Sequence, residues 1–269
     1  EDLRQNGTGD CWYISSMISY SGTSGGEQAF KDAIEQLPNG DFKVQLYAPI
    51  VNEHGKVIGY ENEKTDYIVT QAELFNILIL DSPYAKGDID AVIMERAKEQ
   101  QYDNATKEQF RLNGLPRYNA NYGPNRPYCQ TENDNMCELS YALFGGDAKT
   151  TNLSLDEYGN DIEKPNATKV SIDWLRNDGV EVFKNGNVAV MFDTCSGEAK
   201  CETVTGDVKK LISGHSYALI NCENTVRNGV DDISITLQET NSGTQTKMYL
   251  SDIEKAYESK DLYFYKSKD

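Results

Sequence analysis

Two residue types in this sequence can act together as nucleophile and proton carrier, and both are scarce: six cysteines and two histidines. A thiol attacks as the thiolate, which a helix N-terminus favours because its unpaired amides and dipole stabilise negative charge. Cys11 sits where that effect is greatest. A glycine-bearing loop precedes it, and it heads CWYISSMISY, in which Ile14, Met17 and Ile18 recur at helical spacing. A thiolate also needs an imidazole to hold and deliver its proton. His54 lies in NEHG, a turn between two strand-like runs, where a solvated side chain is the ordinary expectation. His215 lies in SGHSYALI, between a glycine and an apolar strand, and is well held for catalysis. Taken alone it reads equally as a half-buried histidine bonded to a backbone carbonyl.

A third group usually orients such an imidazole by accepting its ring N–H. ISITLQETNSGT runs a strand into a polar turn at Asn241, and a hairpin there would return alongside His215. An asparagine in a turn is more often only a turn residue. Acyl transfer also places negative charge on a carbonyl oxygen, so donors must be preorganised there: the nucleophile's own amide and a side-chain amide nearby. Gln5 stands upstream of Cys11 across two glycines, and a looping backbone brings its amide over the thiol. Without that loop the glutamine means nothing.

In this order the four residues resemble the calpain family of cysteine proteases. QNGTGDCW is similar to that family's active-site segment: a glutamine, a glycine-containing loop, Gly-Asp, the catalytic cysteine and a tryptophan. SGHSYALI resembles its Gly-His segment and the strand ending at Asn241 its asparagine segment, with fainter similarity over DLRQ, IMERA, ALFGG and LYFYK. The resemblance implies Cys11 as nucleophile, His215 as general base and then acid, Asn241 as orienter and Gln5 as oxyanion donor. Trp12 and Asp10 would shape the loop and helix entry. It further implies an α+β, papain-like fold of two lobes. A helical lobe over residues 1–160 would carry the cysteine, a β-rich lobe over 161–269 would carry His and Asn, and the site would lie in the cleft between.

The implied activity is a cysteine endopeptidase acting on a protein or peptide through a thioester, with no cofactor required for the chemistry. The sequence departs from the family where Ser242-Gly243-Thr244 replaces the Pro-Trp-Gly that follows the family's asparagine, and where Asn6 replaces the glycine after the glutamine. Asp2 matches the position of one calcium ligand, but the acids after the asparagine do not line up and Lys247 intrudes, so calcium dependence is not read from the sequence. Two other functions use the same residues. The thioester can pass to an amine, as in a transglutaminase, a ligase or a cell-wall amidase. Alternatively the chain is a catalytically silent extracellular recognition module, contacting partners through the tyrosine-rich stretch 113–135.

The elements that must position these residues follow from pattern. DFKVQLYAPIVNEHGKVIGY reads as a hairpin. Thr70 with Glu73 forms a capping box opening TQAELFNILIL, and GDIDAVIMERAKEQQY reads as a helix with Ile89, Val92, Ile93 and Ala97 on one side. MCELSYALF reads as a short helix. SIDWLRNDG, another helix, precedes strand-like runs at 188–193, 216–221, 233–239, 246–250 and 262–266. Ser251 and Glu254 offer a second capping box between the last two.

A chain of 269 residues buries a sizeable core, and a net charge of -17 opposes binding to nucleic acid or an anionic membrane surface. No apolar run is long enough to span a bilayer. Cys129 with Cys137 and Cys195 with Cys201 read as two local disulfides, with four reduced thiols as the alternative, while Cys222 follows an apolar run and reads as a core residue. Disulfides, with sequons at Asn104, Asn152 and Asn166, point to a secreted or cell-surface protein. The start so close to Cys11 points to an excised or processed chain lacking a prosegment or flanking domains.

Overall fold

The computed structural model describes residues 3–6, 11–51, 57–79, 84–113, 139, 142–144, 167–170, 172–186, 188–194, 199–257 and 262–267. Asp2, Asp10, His54, Cys129, Cys137, Cys195 and the tyrosine-rich stretch beyond Asn113 lie outside them.

Helix α1 (Cys11–Ser21) begins at the candidate nucleophile, and every residue from Trp12 to Tyr20 is buried, far more than the expected stripe of Ile14, Met17 and Ile18. Its serines make this tolerable, because a buried hydroxyl without an acceptor costs about 1–3 kcal/mol. Ser15 and Ser16 donate to the Trp12 carbonyl at 3.0 and 2.7 Å, and Ser19 donates to the Val190 carbonyl at 2.9 Å. A serine-rich helix thereby becomes the central one.

Helix α2 (Ser24–Ala33) follows, capped by the Thr23 hydroxyl, which accepts from the Gly26 amide. Strands β1 (Ile34–Gln36), β2 (Phe42–Val51) and β3 (Val57–Val69) form an antiparallel sheet in that order, with the expected hairpin as its longest pair. Helix α3 (Gln71–Ile79) opens with the expected capping box. The Glu73 amide donates to Thr70 Oγ1 at 3.1 Å, and Glu73 Oε2 accepts from the Thr70 amide at 2.8 Å. Helix α4 (Ile89–Asn113) buries Val92, Ile93 and Ala97, but Ile89, at its exposed first turn, is 49% accessible.

The second half begins with β4 (Ala167–Val170). A helix we call α5 then runs Ile172–Trp174, widens into a π-turn over Leu175–Gly179 and finishes over Val180–Asn185. Cys222 is buried as expected, and Gly179 lets it approach, since a Cβ there would lie 3.3 Å from its sulfur. Strands β5 (Val190–Thr194), β6 (Ala199–Glu202), β7 (Val208–Leu211), β8 (His215–Arg227), β9 (Val230–Glu239) and β10 (Gln245–Tyr249) lead to α6 (Leu250–Tyr257) and β11 (Leu262–Ser267). Six of these strands pair antiparallel in the order β10-β9-β8-β5-β11-β4, and β6 pairs with β7 separately. The second expected capping box does not form. Helix α6 starts before Ser251, whose hydroxyl donates to the Asp232 carboxylate, and Glu254 pairs with Arg176.

Side-chain alternation divides the six-stranded sheet between two cores. Ala189, Met191 and Ala218 join the core built by α1 to α4 and the first sheet. Val188, Val190, Phe192, Tyr217 and Leu219 face the other way, into a core completed by residues of α5 and α6. The chain is α+β. Strands β1–β3 contribute Val44, Leu46, Tyr60 and Tyr67 to the first core, which residues of the second half also join. No described helix is long and apolar enough to cross a membrane.

Candidate active site

The head of α1 and the start of β8 meet because α1 packs on the sheet at β5 and β8. Cys11, partly exposed at the first position of α1, lies within side-chain hydrogen-bonding reach of His215. His215, 7% exposed, is the first residue of β8. The turn that delivers it depends on Gly214, whose φ of 63° lies in the left-handed region that side chains avoid. That turn is clamped twice. Thr194 on β5 accepts from the His215 amide at 3.1 Å and donates to the Ile212 carbonyl, while the Tyr217 hydroxyl accepts from the Ile212 amide at 2.8 Å. The Tyr217 ring also stands edge-on to the imidazole, 5.1 Å between centroids at 89°.

The Glu239 carboxylate lies against the His215 ring, where Asn241 was expected. His215 Nε2 lies 2.8 Å from Glu239 Oε1, a pair with side-chain exposures of only 7% and 19%. Glu239, the last residue of β9, is registered opposite Tyr217, which makes it a diagonal neighbour of His215 across the ladder. Asn241 falls just past the strand, in the turn closed by the Gly243 amide on the Glu239 carbonyl, and its side chain is exposed. Its contribution is its backbone. The Asn241 amide donates to Glu239 Oε1 at 2.8 Å and the Ser242 amide to Oε2 at 2.9 Å, so the turn holds the carboxylate against the ring.

Burial disfavours charge on both partners, but their hydrogen bonds outweigh it. His215 is raised to about 9, with the bonds to Cys11 and Glu239 overcoming desolvation. Glu239 is lowered to about 2, where the donors from His215, Asn241 and Ser242 overcome the same penalty. The imidazole is thus held as imidazolium beside Cys11, the charge state in which it can give a proton to a leaving group.

Gln5 is buried at 8% exposure and is brought to the same place by pairing with the end of β9. Its amide donates to the Thr240 carbonyl at 2.6 Å, and its side-chain Oε1 accepts from the Thr240 hydroxyl at 3.2 Å. Thr240 Oγ1 also lies 3.0 Å from His215 Nε2. Cys11 and Gln5 are each linked to His215, Gln5 by way of the Thr240 hydroxyl, while the Asn241 side chain is exposed. Sequence reasoning missed Glu239, Thr240, Thr194 and Tyr217. The available signal was position: Glu239 ends the strand beside β8, whereas Asn241 lies beyond it.

Among the described residues no group of three or more His, Cys, Asp or Glu could hold a metal ion. Lys247 pairs with Glu223. Cys201 is a free, buried thiol; burial first, then the Asp252 charge, pushes it up to about 11. Cys222 is likewise free, and burial pushes it up to about 12. No protein-family model matches the chain, and no curated protein matches it.

Proposed function

We propose that the chain is a cysteine endopeptidase of calpain-like, papain-like design, in which Cys11 is the nucleophile, His215 the base and acid, and Glu239 the orienter. The observation that carries this reading is the placement of Cys11, at the head of α1, beside the buried His215 ring, whose Nε2 pairs with the Glu239 carboxylate. Glu239 engages Nε2, which leaves Nδ1 for the thiol. With the proton already on the imidazole, the Cys11 sulfur reacts as thiolate and adds to a peptide carbonyl. The resulting oxyanion is met by the Cys11 backbone amide and the Gln5 side chain. Collapse breaks the C–N bond as His215 protonates the departing amine, leaving a thioester on Cys11. Water, deprotonated by His215, then adds to the thioester, releases the carboxylic acid and restores the thiolate.

Packing of the cysteine-bearing helix against the sheet that carries His215 supports a two-lobed, papain-like arrangement with the site between the lobes. The reading requires no cofactor. A secreted or surface location belongs to the same proposal and is tested by mapping the cysteines of the native protein. The direct test incubates wild type and Cys11→Ala with a denatured protein, with and without chelator and with and without a primary amine, and reads products by mass. Hydrolytic fragments that vanish in Cys11→Ala support the endopeptidase. Amide products with the added amine shift the reading to an acyltransferase. No products, with Cys11 inert to an alkylating peptide probe, would leave a recognition module.

A further inference from the structure

We infer that Thr240 is a positioning residue: its hydroxyl sets which way the Gln5 side-chain amide faces, and so links the oxyanion donor to the His215–Glu239 pair. The inference rests on the endopeptidase reading and adds a residue that neither the motif spacing nor the resemblance singles out. Thr240 is fully buried, directly after β9. A hydroxyl carries one proton and two acceptor lone pairs. Three polar atoms surround this one: His215 Nε2 at 3.0 Å, Gln5 Oε1 at 3.2 Å and the Ser216 carbonyl at 3.5 Å. Glu239, an ionised acceptor, requires Nε2 to be protonated, so the hydroxyl can only accept from that nitrogen. Its own proton then goes to the nearer carbonyl, Gln5 Oε1. With Oε1 so held and the Gln5 backbone fixed on the Thr240 carbonyl at 2.6 Å, the amide nitrogen turns away from Thr240. That nitrogen is the donor an oxyanion needs.

A donor acting only as charge develops changes kcat rather than KM. Thr240→Val keeps the shape and removes the hydroxyl, and with it this hold on Gln5 Oε1. Using fluorescein-labelled denatured casein, we expect Thr240→Val to lower kcat by about tenfold with KM little changed, and Thr240→Ser to restore kcat to within about threefold. In a Gln5→Ala background, Thr240→Val should lower kcat no further, because the amide it orients is gone. If the valine variant fails to fold, Thr240→Ala is read in the same cycle. Wild-type kcat in the variant, or an equal loss with and without Gln5, overturns the role of Thr240 alone. Casein cleavage that persists in Cys11→Ala overturns the endopeptidase reading and the inference with it.

Discussion

The proton on His215 is the most consequential one in the molecule, and two neighbours control it. Burial alone would favour the neutral ring, yet Cys11 and Glu239 raise it to about 9. In the proposed mechanism a protonated His215 releases the amine, so peptide cleavage should fall as pH rises through about 9. Glu239→Gln removes the carboxylate charge while an amide oxygen can still accept from Nε2. The ring should then titrate lower and the alkaline limit of activity move down with it, with kcat reduced by about 100-fold. Titration of the two histidines by NMR, assigned through His54→Gln, checks the first, and a pH–rate profile the second. An unchanged His215 titration in Glu239→Gln would show that the carboxylate does not govern the ring. Part of this neighbourhood was legible in the sequence: Cys11, His215 and Gln5 were singled out by residue type and spacing. The orienter was not, because a motif runs along the chain, whereas a partner for an imidazole is chosen by strand register. Glu239 is in the ladder and Asn241 is past its end.

At the scale of elements, the site depends on α1 lying against β5 and β8. Met191 lies in the interface that carries this packing and is fully buried. Met191→Ala should therefore cost about 2–5 kcal/mol in stability and reduce kcat by loosening Cys11 relative to His215. Equilibrium unfolding and kinetics on one preparation test both. By contrast Thr70→Ala removes the α3 cap, away from these contacts, and should cost about 1 kcal/mol with kcat unchanged. Hydrophobic period and capping residues foretold the β2–β3 hairpin, α3, α4 and every strand of the large sheet except β4. They misled at Ser251, where Asp232 competes for the hydroxyl, and at α1, whose burial on nearly all sides rests on serine bonds to main-chain carbonyls that no apolar periodicity records.

For the whole molecule, the buried ion pair ties stability to pH at both ends. Glu239 is held at about 2, below its ordinary 4.5, so its contribution is complete above 4.5 and disappears as pH falls through about 2. His215 is raised to about 9 from 6.5, so its contribution is complete below 6.5 and disappears as pH rises through about 9. Urea midpoints measured across pH should decline in both windows, and Glu239→Gln should flatten both declines. Equal declines in the variant would assign the pH dependence to other groups. The division into two cores was only partly legible, since strand alternation is visible in sequence but the core each face serves is decided by the helices packed on it. The account as a whole turns on a reactive thiol made so by one imidazole. Iodoacetamide labelling of the folded protein at neutral pH, mapped by mass, measures this directly. Cys11 should react at least about 100-fold faster than Cys201 and Cys222, and His215→Gln should abolish most of that advantage. A Cys11 that reacts no faster than the buried thiols, or equally fast without His215, would contradict it.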